Sequence, residues 1–301
     1  MKRDFITLWD LSSAEIDSLL KRAVDLKAGK DGNACPLIGR SVGLFFEKPS
    51  TRTRVSFEVG IYQLGGHAVC LNPSELQLGR GETMPDTART LSRYLDCMVM
   101  RTFSHATVEE FASNSTIPVI NGLSDLHHPC QVLADLMTMF EKKGTLKGLK
   151  VAFIGDGNNV CNSLIEAASR MEFNLTVACP EGFEPDAGIL ERARASAASE
   201  IVILRDPREA SGMADVVYTD VWVSMGQEKQ SEDKKRKLRD YQINSRLLSC
   251  SKKDVSVLHC LPAHRGEEIT DEVMDGPHSA VFDQAENRLH AQKALLEILM
   301  S

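Results

Sequence analysis

Lys48, Arg52 and Arg54 fall within seven positions in the stretch FFEKPSTRTRVSFE, residues 45–58, interleaved with Ser50, Thr51 and Thr53. Cations and hydroxyls gathered where an apolar run gives way to a helical pattern suit one chemistry. The first N–H groups of a helix lack intrahelical partners and carry the positive end of its dipole. Hydroxyls add donors, and a guanidinium grips two oxygens of a phosphate at once. A capping serine with solvated arginines would use the same residue types. A helix start this crowded nevertheless points to a site for a small, strongly charged anion.

Five other stretches carry chemistry. In HHPCQ, residues 127–131, His128 and Gln131 lie three apart around Pro129, where a loop becomes a helix. His128 can donate to a carbonyl oxygen and Gln131 can donate and accept, although a capping and turn role fits them equally. Arg101 closes the apolar run CMVMR, and a charge at a strand's carboxyl end often faces the ligand crevice of an open α/β sheet. FIGDGNNVCNSL, residues 153–164, has a glycine-rich turn but no full G-x-G-x-x-G. The following strand, LTVACP, ends without an acid, so a dinucleotide is disfavoured and a small carboxylate or amide fits the asparagines better. Finally, YTDVWVSMG (218–226) and LHCLPAHRG (258–266) put Asp220 and Cys260 at the ends of strand-like runs. His259, Cys260 and His264 on one irregular segment make a poor metal site. A Cys–His nucleophile and simple packing are both open readings of that segment.

Strand-like and helix-like segments alternate around these stretches, which predicts an α/β architecture with parallel sheets. Strands are expected at 42–47, 97–101, 117–122, 150–155, 175–179, 201–204, 215–219, 255–260 and 280–284. A capping box, Ser12 with Glu15, opens a helix carrying Ile16, Leu19, Leu20 and Val24. From Ser50 onward, Val55, Val59 and Tyr62 form one apolar stripe and Phe57, Ile61 and Leu64 another, predicting a helix packed on two faces. The charged link EKKGTLKGLK, residues 141–150, divides two domains and leaves the last helix, 286–300, free to join either. The stretch EKQSEDKKRKLRD interleaves both signs and reads as solvated surface.

The length of 301 residues exceeds the usual single-core size and favours two domains. A net charge of −7 gives nothing that attracts nucleic acid or an anionic membrane, so an anion must be bound by local charge. Eight scattered cysteines without a C-x-x-C pair are expected to be reduced, mostly buried thiols. No leader pattern or spanning run is visible, and a cytoplasmic protein is expected.

STRTR followed by SFE, then HPCQ, DGNN, DVWVSMG, HCLP and QAENR, occur in the order found in the aspartate/ornithine carbamoyltransferase family, and the chain resembles its ornithine-using members most. GRGETMPDTARTLSRYLD and INGLSDLHHPCQVLADLMT extend the similarity, which runs from about residue 40 onward. The resemblance implies transfer of the carbamoyl group from carbamoyl phosphate to the side-chain amine of L-ornithine, without cofactor or metal. It implies two similar-sized domains, each a parallel sheet flanked by helices, joined by interdomain helices. These are residues 1–140 with 286–301 for carbamoyl phosphate and 141–285 for ornithine. Ser50, Thr51, Arg52 and Thr53 would hold the phosphate. Thr53, Arg101, His128, Gln131 and Arg288 would surround the carbamoyl group. Gln77 would reach a neighbouring subunit's site, which implies a homotrimer with shared sites. Asn159, Asp220, Ser224 and Met225 would bind ornithine, and Cys260 and Leu261 would line the place where the amine meets the carbonyl. Arg101, His128, Asp220 and Cys260 would be the catalytic set.

The implied acceptor agrees with the residue chemistry. Aspartate would bring a second carboxylate, yet Asn159, Asp220, Ser224, Met225 and Cys260 include no cation. Asp220 suits an α-ammonium group and Met225 a methylene chain. Acetylornithine, putrescine and lysine stay open as acceptors, and a non-catalytic anion-binding protein is the alternative of another class.

Overall fold

The computed structural model describes residues 2–30, 35–76, 81–223 and 231–300. The chain forms two compact units, Met1–Met137 with Glu286–Ser301, and Thr138–Ala285. Two helices run through the division, α5 (Pro129–Lys143) and α12 (Val281–Met300).

In the first unit the strands β1 (Ser41–Phe46), β2 (His67–Leu71), β3 (Cys97–Arg101) and β4 (Val119–Leu123) form a parallel sheet in the order β2-β1-β3-β4. β3 is buried along its whole length, as an apolar run between two neighbours in a parallel sheet should be. Met98, Met100, Val108, Phe111 and Val119 build the core beneath it. Helix α1 (Ser13–Lys27) starts at the expected box, with Ser12 N–H donating to Glu15 Oε2 at 2.8 Å and Glu15 N–H to Ser12 Oγ at 3.3 Å. Helix α2 (Thr51–Gln63) follows β1, and α3 (Met84–Leu91) and α4 (His105–Asn114) precede and follow β3 in the chain. Of its two apolar stripes, only Phe57, Ile61 and Leu64 are buried; Val55, Val59 and Tyr62 are exposed, Tyr62 by 80%. The expectation of two packed faces is thus corrected: the sheet lies along one side of the helix only. Strand β2 was not foreseen, because HAVCL is a half-exposed edge strand with little apolar alternation.

In the second unit β5 (Lys150–Ile154), β6 (Asn174–Ala178), β7 (Ile201–Leu204), β8 (Val216–Thr219) and β9 (Ser256–His259) form a parallel sheet in the order β7-β6-β5-β8-β9. Helix α6 (Asn159–Met171) follows β5, and α7 (Ala187–Ser196) and α8 (Pro207–Ser211) precede and follow β7. Helices α9 (Ser231–Leu238) and α10 (Ser245–Leu248) lie between β8 and β9 in the chain, and α11 (Asp271–Met274) comes after β9. Ala152, Ile154, Val217, Trp222, Leu238 and Val257 share one core. The strand expected at 280–284 is not formed. Ser279 makes one bridge to Val257, and Val281 opens α12 instead. None of the eight cysteines is in a disulfide, but only Cys97, Cys130, Cys161 and Cys179 are buried; Cys35 and Cys70 are exposed.

Each sheet reverses its strand order once, between β1 and β3 and between β5 and β8. Ligands of open α/β sheets bind at the carboxyl ends of the strands flanking such a reversal. Ser50 to Thr53 follow β1 and Arg101 ends β3; Asp156 to Asn159 follow β5 and Asp220 follows β8.

Candidate functional site

Ser50 is the N-cap of α2, and its Oγ accepts from Thr53 N–H at 3.1 Å. Thr51 is exposed in the first turn and Arg52 half-buried beside it. Thr53 is buried, and its Oγ1 accepts from Arg288 Nη2 at 3.0 Å. The other arm of Arg288 donates to Gln131 Oε1, while Gln131 Nε2 donates to Asp135 Oδ1 at 2.8 Å. Arg288, 2% exposed, thus ties the start of α2 to the start of α5 within the first unit. Arg101 is buried at the end of β3. His128 is buried where α5 begins, and burial pushes its pKa well below the ordinary histidine value; the charges of Arg288, Arg101 and Arg52 add to the shift. A neutral imidazole among three guanidinium groups can donate a hydrogen bond without adding a fourth charge. Burial also lowers the pKa of Lys48, with Arg101 contributing; its ammonium stands 4.6 Å from the Phe103 ring centre. Arg54 does not join this group. It is exposed and pairs with Glu58 one turn along α2, at 2.8 Å. Gln77 lies outside the described residues.

In the second unit Asp220, 8% exposed, collects three donors. Asn158 Nδ2 donates to its Oδ2 at 2.6 Å, while Val221 N–H (2.7 Å) and the Cys260 thiol donate to Oδ1. Asn158 is also the N-cap of α6, accepting from Val160 and Cys161 N–H at 3.0 and 3.2 Å. One amide side chain therefore positions both the helix start and the carboxylate. Asn159 begins α6, half-buried. Ser224 and Met225 lie outside the described residues.

The His259–Leu261 segment is held from behind. His259 Nδ1 accepts from Leu261 N–H at 2.8 Å, so Nε2 carries the proton that faces Glu268 Oε1 at 3.0 Å. With both ring nitrogens engaged, His259 has no lone pair for a metal, and Cys260 is matched with Asp220 rather than with a histidine base. Leu261 has φ +58°, a left-handed conformation that costs a residue with a Cβ about 1–2 kcal/mol and that the surrounding contacts must offset. His259 N–H donates to Gln284 Oε1 at 2.9 Å.

Sequence reasoning noted the two asparagines but not the bond from Asn158 to Asp220, and it missed Asp156, Lys234 and Glu268. Lys234 was read as solvated, yet it is 9% exposed and its Nζ lies 2.6 Å from Asp156 Oδ2. The available signal was its spacing of four from Leu238, which is fully buried on the same helix.

Comparison with known proteins bears on both units. Residues 3–141 match the family described as aspartate/ornithine carbamoyltransferase, carbamoyl-P binding domain, and residues 147–299 match aspartate/ornithine carbamoyltransferase, Asp/Orn binding domain. The chain is 55% identical over 302 residues to an ornithine carbamoyltransferase of Syntrophus aciditrophicus, covering 100% of both. Among solved structures it is similar to ornithine carbamoyltransferase from Pyrococcus furiosus, with TM-score 0.95, 51% identity, and coverage of 99% of this chain and 97% of that one. It is also similar to an anabolic ornithine carbamoyltransferase from Campylobacter jejuni, with TM-score 0.93, 41% identity and 99% of each chain covered. With a family match over each of its two sheets and full-length relatives above half identity, the chain belongs to the aspartate/ornithine carbamoyltransferase family.

Proposed function

We propose that this chain transfers the carbamoyl group of carbamoyl phosphate to the side-chain amine of L-ornithine, giving L-citrulline and phosphate. The observation that carries this reading is the contrast in charge between the two units. Arg52, Arg101 and Arg288 surround a neutral His128 in the first, whereas Asp220, held by Asn158 and Cys260, stands at the strand ends of the second. The first suits a phosphorylated, carbonyl-bearing dianion and the second an α-ammonium group.

In this reading Ser50, Thr51, Arg52 and Thr53 hold the phosphate. The N–H groups at the start of α2 and the Arg52 guanidinium balance the charge on the departing group. Thr53, Arg101 and His128 donate to the oxygen of the carbonyl as the amine adds, each well-placed donor being worth roughly 2.7–4 kcal/mol. Gln131 and Arg288 orient the carbamoyl group. Asn159, Asp220, Ser224 and Met225 bind ornithine. Cys260 and Leu261 shape the place of attack, with Cys260 a contact rather than an obligate base. The amine must attack unprotonated, although an alkylammonium ordinarily has a pKa near ~10.4.

No described helix is long and apolar enough to cross a membrane. A cytoplasmic homotrimer, with Gln77 reaching a neighbouring subunit's site, completes the reading and rests on the family pattern.

Purified protein given carbamoyl phosphate and, separately, ornithine, aspartate, putrescine and acetylornithine should form product fastest with ornithine. Absence of citrulline in the ornithine reaction would overturn the proposal.

A further inference from the structure

Two carboxylates, not one, stand where β5 and β8 end. Asp220 follows β8, and Asp156 follows β5 in the turn that Asn158 caps. Asn158 joins them, since its backbone N–H donates to the Asp156 carbonyl at 2.7 Å and its side chain to the Asp220 carboxylate. An α-amino acid carrying one net positive charge needs one carboxylate at its ammonium group. A second ionised carboxylate beside the first would repel its neighbour, raise the cost of keeping both charged, and offer a rival site for either amine of the ligand.

Lys234 answers that problem. It comes from α9, the helix that begins directly after residues 224–230, and its ammonium meets Asp156 Oδ2 at 2.6 Å. The two side chains are 10% and 14% exposed, so water does little to screen the pair. The ammonium of Lys234 also lies 5.7 Å from the Phe183 ring centre, and Leu238 anchors α9 in the core one turn further on. Burial raises the Asp156 pKa and Asp220 adds to that rise, whereas Lys234 opposes both.

We propose that Lys234 is a positioning and specificity-determining residue of the acceptor site: by pairing with Asp156 it cancels one of two adjacent negative charges and leaves Asp220 alone to receive the α-ammonium group. This rests on the acceptor reading given above. The acceptor candidates Asn159, Asp220, Ser224, Met225 and Cys260 still include no cation; the charge that Lys234 brings beside Asp156 is spent within the protein.

The experiment compares wild type with Lys234→Met, Asp156→Asn and the double variant, using calorimetric binding of L-ornithine and steady-state kinetics across pH. Lys234→Met should raise the KM for ornithine by about tenfold or more, because half of a buried pair has been removed. The KM for carbamoyl phosphate should change far less. The ornithine KM of Lys234→Met should acquire a pH dependence as the unpaired Asp156 titrates. The double variant, neutral at both positions, should lose that pH dependence and recover most of the ornithine affinity. A double variant no better than Lys234→Met, or equal losses for both substrates, would overturn the charge-balancing role; so would equal ornithine binding by all four proteins. A wild type that neither binds nor carbamoylates ornithine would instead reject the acceptor reading itself.

Discussion

A histidine kept neutral by burial and by three nearby guanidinium groups couples the carbamoyl phosphate side to stability. The His128 pKa is depressed on folding, so its contribution to stability is fully present above the unfolded value near ~6.5. It is lost as pH falls from there toward the folded value, because the unfolded chain takes up a proton that the folded chain refuses. Melting temperature measured from pH 8 down to 5.5 should therefore fall more steeply for wild type than for His128→Gln; parallel curves would show that His128 is not the group responsible. At this scale the sequence was legible where chemistry is local. The N-capping Ser50 and the hydroxyls behind it are neighbours in the chain, and their spacing alone points to a helix start. The bonds from Arg288 to Thr53 and Gln131 span 235 and 157 positions, and no local spacing encodes them. The separate roles of Asn158 and Asn159 were not legible, because two adjacent asparagines look alike until one of them is seen to cap α6.

At the scale of elements, the turn after β5 is the least tolerant part of the second unit. A Cβ on Gly157 would lie 2.3 Å from Pro185 N and 2.7 Å from Phe183 O, both backbone atoms, and the Gly157 N–H already donates to Phe183 O at 2.8 Å. Gly155 sits at φ +132°, a region open to glycine almost alone. Gly157→Ala should cost about 1–3 kcal/mol in thermal or chemical unfolding by overpacking. It should also raise the KM for ornithine more than that for carbamoyl phosphate, since the shifted backbone carries Asp156 and Asn158. An unchanged melting temperature would mean that the segment 183–185 yields at no cost. Alternating apolar periods made the two parallel sheets legible beforehand. They did not show that only one side of α2 packs within the chain, since periodicity records which residues are apolar and not what covers them. Nor did they separate the strand-like run 280–284 from the first turn of α12.

For the whole molecule, a net charge of −7 means that a dianionic substrate must be drawn by local charge, and among the described residues Arg52, Arg101 and Arg288 supply it in the first unit. The proposed trimer adds a prediction that single-chain chemistry cannot make. Gln77→Ala and Arg52→Ala should each be nearly inactive alone, yet mixtures dissociated and reassembled together should regain activity. In a shared site one subunit supplies an intact Arg52 while its neighbour supplies an intact Gln77. No regain, or a native mass equal to the 33.2 kDa chain, would exclude shared sites.

The discontinuous build of the first unit also sets a timetable. Its sheet is complete by Leu123, but the unit includes Glu286–Ser301, and Ala291, Ala294, Leu295 and Leu296 of that segment are buried. During synthesis the whole second unit emerges before Arg288 does. A nascent chain can therefore finish the later unit before the first one is complete. Until Arg288 is made, the growing chain has the start of α2 and the start of α5 but not the guanidinium that ties Thr53 to Gln131.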